Sequence, residues 1–125
     1  AVVAAGGDVY ALGTAPDGEP WTIGIQDPND PTGIVGTVRL ADRAVATSGT
    51  YRQFFRYRGR KYHHIMDPAT ARPRETGMQS LSVIADRVMD ADAASTALFG
   101  MEASAIVQTL RRRLPGAELA RIIGT

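Results

Sequence analysis

Asp92 and Thr96 stand four residues apart in the run DADAASTALFG, so on a helix their side-chain oxygens share one face about one turn apart. A carboxylate and a hydroxyl at that spacing can serve one hard cation. Mg²⁺ suits so sparse a set, because it keeps most of its waters and is completed by substrate phosphates. The same residues have a plain structural account as well: Asp90 or Asp92 as a first-turn acid favoured by the helix dipole, and Thr96 bonded back to the preceding turn. His63 and His64 are the two histidines of the chain. On an alternating strand their rings face opposite sides, and an imidazole with an ordinary pKa near 6.5 is a natural general base; a strand histidine can equally be only a packed, hydrogen-bonded side chain. Gly6-Gly7-Asp8 and Thr47-Ser48-Gly49 are strand-end stretches with N–H groups able to meet a phosphate or a nucleotide edge. Neither has Walker A or dinucleotide-fold spacing, and both read equally well as turns.

Strands must position most of these groups. AVVAAGG and DVYALG read as two strands, or one bent strand, around Gly6-Gly7, and Asp17-Gly18 closes a turn before the strand WTIGIQ. DPNDPTG, from Asp27 to Gly33, reads as a loop, since it packs two prolines and three Asx residues into seven positions. IVGTVRL and RAVATSG then predict a hairpin over Ile34 to Gly49. YRQFFRYRGRKYHHIM alternates aromatic and basic residues about Arg58-Gly59-Arg60, as in a hairpin with one buried face. Asp67 to Thr76 reads as a loop, with Asp67 before Pro68 suited to an Asx turn. LSVIA is a compact apolar strand.

From Val88 the period becomes helical, with Val88, Ala91, Ser95 and Leu98 three or four apart. A second helix spans about Glu102 to Arg113, with three arginines in its last turn, and stops at Leu114-Pro115-Gly116. ELARIIGT is a candidate last strand. Strands first and helices last define an α+β fold, a mixed or largely antiparallel sheet with two C-terminal helices packed on it.

Composition bounds the function. At 125 residues with 44% hydrophobic and 22% charged content, the chain is one domain with material for a core. Thirteen arginines and one lysine against 13 acids leave a net charge of +1, which offers no global reason to expect nucleic acid or an anionic membrane as partner. Between Arg52 and Arg74 seven basic residues face one acid, either a locally positive face or the charged edges of a solvated hairpin. The absence of cysteine excludes disulfides, thiolate catalysis and cysteine metal sites. No apolar run approaches the roughly 18 residues of a membrane helix, no secretory signal is visible, and the apolar start at Ala1 suggests that sequence precedes it.

Taken together, GGDVYALG, WTIGIQDP, AVATSGTYRQFF, KYHHIMDPATARP, SLSVIA and DADAASTALFGM resemble, in order and spacing, the C-terminal part of the ApbE-like flavin transferases, the FAD:protein FMN transferases. The resemblance runs from about Val3 to Leu114 and implies that residues 1–125 are a single domain, the last third or so of such an enzyme. It departs from the family pattern at Ala71, where a glycine commonly follows Asp-Pro-x-Thr. The activity it implies is Mg²⁺-dependent transfer of FMN from FAD to a Thr or Ser hydroxyl of an acceptor flavoprotein, with release of AMP; some members instead hydrolyse FAD to FMN and AMP.

The same resemblance assigns Asp92 and Thr96 as metal ligands, and His64 as the residue beside the flavin and base on the acceptor hydroxyl. Thr47, Ser48 and Gly49 match a stretch lining the FAD site. The upstream region, which in the family supplies most flavin contacts and a backbone oxygen to the metal, becomes an expected partner; without it, the chain reads as an FAD- or nucleotide-binding module. Many members are lipoproteins outside the cytoplasmic membrane and others are cytoplasmic, so the compartment stays open.

Overall fold

A computed structural model of the chain describes residues 1–49, 54–57, 60–63, 66–67, 72–73 and 77–124. β1 (Val2–Ala5) and β2 (Asp8–Ala11) form an antiparallel hairpin, so the first two apolar runs are separate strands. The turn between them needs Gly6 in the left-handed region at φ 60°, which a Cβ would disfavour. β2 pairs with β5 (Arg43–Gly49), β5 with β10 (Met78–Ala85), and β10 with β11 (Glu118–Gly124), every pair antiparallel. The result is a five-stranded sheet in the order β1-β2-β5-β10-β11.

β3 (Trp21–Asp27) and β4 (Asp30–Leu40) pair with each other as a long second hairpin, and among the described residues with no further strand. Two expectations are corrected here. Asp27 to Gly33 is not a loop: the strands run into a turn at Pro28 and Asn29, with Asp27 Oδ1 accepting the Asn29 N–H at 2.8 Å. Pro31 lies inside β4, which among the described residues is bonded on one side, to β3, and so tolerates a residue without an N–H. Ile34 to Gly49 is not a hairpin either, because β4 and β5 belong to different sheets. The chain turns between them at Asp42, whose φ of 55° is the one positive value at a non-glycine among the described residues. Its carboxylate Oδ1 accepts the Gly13 N–H at 2.7 Å.

β6 (Phe54–Tyr57) and β7 (Arg60–His63) form the expected hairpin, with Phe54 opposite His63. The span read as a loop from Asp67 contains a short antiparallel pairing of β8 (Met66–Asp67) with β9 (Arg72–Pro73). The helices fall where the period placed them: α1 is Val88–Ala97 and α2 is Ala103–Arg113, and α2 ends on Arg111, Arg112 and Arg113.

The five-stranded sheet is covered on both faces. On one side Leu81 and Val83 of β10 pack with Leu98, Phe99, Ile106 and Leu110 of the helical segment. Beside them Ala44, Ala46, Ala85 and Ala91 meet as a patch of small side chains, which lets α1 sit close on β5 and β10. On the other side Val45 and Ile84 pack with Leu40, and with Trp21, Ile23 and Val38 of the β3–β4 hairpin. Strand alternation explains the division, because Ala44 and Ala46 face the helices while Val45 between them faces the hairpin. Burying each large apolar side chain contributes about 1.5–3 kcal/mol. Arg43 closes one end of the sheet: its Nε lies 3.1 Å from Asp86 Oδ1, and it also donates to the Gly116 carbonyl.

Candidate functional site

The alternation that sorts the core continues to the end of β5. After Ala46 and Val45, Thr47 faces the hairpin side and Ser48 faces α1. Thr47 lies directly across from Ser82 of β10, and their hydroxyls meet at 2.7 Å. Thr47 also lines a cavity of about 130 Å³ with Gly6, Gly7, Ile23, Ile25 and Gln26. Its backbone N–H is spent on the Gly7 carbonyl at 3.0 Å, so the two glycine-bearing strand ends found in the sequence are neighbours. Ser80, opposite Gly49, is buried, and its hydroxyl has no partner among the described residues.

On the helix side Ser48 is 8% exposed and Ser95 fully buried. Their hydroxyl oxygens lie 2.9 Å apart, and Ser48 Oγ also lies 3.2 Å from Thr96 Oγ1. Ser95 Oγ donates to the Asp92 carbonyl at 3.0 Å. The back-bond to the preceding turn therefore belongs to Ser95; Thr96 reaches across to β5 instead. Thr47, Ser48 and Gly49 thus do not turn their side chains to a single surface: the first meets the cavity, the second meets α1.

Asp92 is exposed on α1, and its carboxylate has no hydrogen bond or ion pair among the described residues. Thr96 is exposed one turn on, with its hydroxyl anchored to Ser48. Asp92 and Thr96 thus lie one turn apart on α1, as the four-residue spacing predicts, with the Thr96 hydroxyl turned to β5. Among the described residues no group of three or more His, Cys, Asp or Glu gathers into a metal cluster. His64 lies outside the described residues, as do most side chains of the basic stretch from Arg52 to Arg74. Spacing alone did not single out Ser82, hidden in the apolar LSVIA run, nor Ser95 as more than an inward helix position. Ser95's inward place beside Thr96 was the available signal.

Small residues bring α1 onto the central strand; that helix carries an exposed carboxylate and an anchored hydroxyl, and a glycine-bordered cavity lies on the opposite face of the sheet. An α+β domain of this kind has counterparts of known family. The ApbE family model matches residues 1–120, and the chain belongs to the ApbE family. A FAD:protein FMN transferase of Treponema pallidum is 41% identical over 132 residues, covering 94% of this chain and 35% of its own. One from Escherichia coli K12 is 33% identical over 112 residues, covering 89% and 32%. The chain thus spans about a third of the length of these curated relatives. The crystal structure of the ApbE protein of Thermotoga maritima superposes with a TM-score of 0.83 at 35% identity, covering all of this chain and 42% of that one. The flavinyl transferase ApbE of Pseudomonas stutzeri, in its apo form, superposes with a TM-score of 0.67 at 31% identity, over 99% of this chain and 40% of its own. No helix among the described residues is long and apolar enough to cross a membrane.

Proposed function

We propose that this domain supplies the cation site and part of the FAD site of a Mg²⁺-dependent FAD:protein FMN transferase, whose remaining flavin contacts come from an upstream region of the same enzyme. The observation that carries the reading is the presence on α1, one turn apart, of an Asp92 carboxylate without a partner among the described residues and a Thr96 hydroxyl held from β5. As a donor set it fits Mg²⁺: both atoms are hard oxygens, and two protein ligands leave room for water and phosphate. Mg²⁺ held there would neutralise charge on the diphosphate oxygens.

The chain's own residues then divide the work. Asp92 and Thr96 hold the cation. Thr47, Ser48 and Gly49, at the end of β5 from which Ser48 reaches Thr96, border FAD. His64 takes the proton of the acceptor Thr or Ser hydroxyl as its oxygen bonds to the FMN phosphorus. The diphosphate P–O bond breaks, and AMP leaves with the electron pair. His64 and the acceptor flavoprotein enter this scheme through family resemblance, supported by the match over residues 1–120.

The test is product balance. The chain joined to its upstream region is incubated with FAD, Mg²⁺ and an acceptor flavoprotein, and covalent flavin and AMP are quantified. Equal amounts of both support transfer. Free FMN and AMP without covalent flavin would make hydrolysis the activity, and intact FAD would refute both.

A further inference from the structure

Around Thr96 the proton positions follow from counting donors. A Ser or Thr hydroxyl has one proton and two lone pairs, and a carbonyl oxygen can only accept. Ser95 Oγ lies 3.0 Å from the Asp92 carbonyl, so the Ser95 proton is committed there. Ser95 can then only accept from Ser48, 2.9 Å away, which commits the Ser48 proton. Ser48 in turn can only accept from Thr96, 3.2 Å away, which commits the Thr96 proton. The series ends at Thr96 with the proton drawn inward and the lone pairs left outward, on the face that Asp92 shares.

Burial enforces this order. Ser95 is fully buried and Ser48 nearly so, which keeps bulk solvent from competing for their protons. The Asp92 carbonyl is also the group to which Thr96 would otherwise donate from within its own helix. With Ser95 donating to that carbonyl, the threonine is directed to β5.

We propose that Ser95, acting through Ser48, is a positioning residue that orders the Thr96 hydroxyl as a pure acceptor toward a divalent cation. The inference rests on reading Asp92 and Thr96 as the Mg²⁺ pair and adds the device that orients the neutral member. Without Ser95 the Ser48 proton is released, can turn to Thr96, and frees the Thr96 proton to point at the cation.

The test is Mg²⁺ affinity, measured by calorimetry on the chain joined to its upstream region. Ser95→Ala should weaken Mg²⁺ binding about 3- to 10-fold, the worth of one ordered hydrogen bond. Ser95→Cys, close in volume but a weak donor, should show most of the same loss, which separates proton order from packing and stands in if the alanine variant misfolds. In a Thr96→Val background neither change at Ser95 should cost anything further, because its effect passes through the threonine. Native Mg²⁺ affinity in both Ser95 variants, with binding lost in Asp92→Ala, would overturn the ordering role and leave the ligand pair standing. Native affinity in Asp92→Ala would overturn the pair, and the ordering role with it.

Discussion

Ser48 of β5 and Thr96 of α1, 48 residues apart in the chain, meet through their hydroxyl oxygens at 3.2 Å. β5 is the middle strand of the five and is hydrogen-bonded on both sides, to β2 and β10. A helix residue tied to that strand is referenced to the most constrained part of the sheet. Sites carried on such elements hold their geometry better than sites on loops.

Asp92→Ala should lower Mg²⁺-dependent formation of covalent flavin about 100-fold or more, the scale of losing one preorganised stabiliser of transition-state charge. Because Asp92 is exposed and without a described partner, stability should change by no more than about 0.5 kcal/mol. Acceptor flavin fluorescence after denaturing electrophoresis reads the first quantity, and a urea melt the second.

Phe99 is fully buried in the cluster that joins both helices to β10. Phe99→Ala should cost about 3–5 kcal/mol, from lost transfer energy and the cavity left behind. Urea unfolding should show a lower midpoint with an unchanged slope.

Asp42 holds a left-handed backbone and accepts the Gly13 N–H. Asp42→Ala keeps the strained conformation and loses the bond, a cost of about 1–2 kcal/mol. Asp42→Gly loses the bond but relieves the backbone, so it should fall between native and alanine in the same unfolding experiment.

Asp30 accepts the Thr32 N–H at 3.0 Å and the Thr32 hydroxyl at 2.8 Å through one carboxylate oxygen. These bonds, the backbone one first, hold its pKa below the ordinary 3.8. A lowered carboxylate pKa adds stability that is complete above the unfolded value and is lost as pH falls through the folded one. Thermal midpoints measured from pH 5 downward should therefore drop more steeply for the native chain than for Asp30→Asn, with the difference opening below pH 3.8.

Periodicity revealed those parts of the fold whose signal is local. Val88, Ala91, Ser95 and Leu98 mark one face of α1, and Ala91 and Ser95 are indeed buried. The alternation of YRQFFRYRGRKYHHIM is matched by the antiparallel pairing of β6 with β7. Strand partnership beyond the local β6–β7 hairpin was not legible, because it depends on which faces are buried together. β4 and β5 are adjacent in sequence yet face different neighbours, since Leu40 and Val45 both need the core between the sheet and the β3–β4 hairpin. Pro31 misled for a related reason: a proline forbids a strand bonded on both sides, but not one with a free edge. Within the site, the Asp92–Thr96 spacing was readable. The competition between Ser95 and Thr96 for one carbonyl is a matter of ångströms and appears only in three dimensions.

A cation site on α1 through which the domain engages FAD would couple Mg²⁺ to FAD binding through Asp92. Its most direct test is FAD binding, followed by flavin fluorescence with and without Mg²⁺, for the chain joined to its upstream region and for the same protein bearing Asp92→Ala. If that site is on α1, Mg²⁺ should tighten FAD binding in the native protein, and this gain should disappear in the variant. A gain of the same size in both proteins would contradict it.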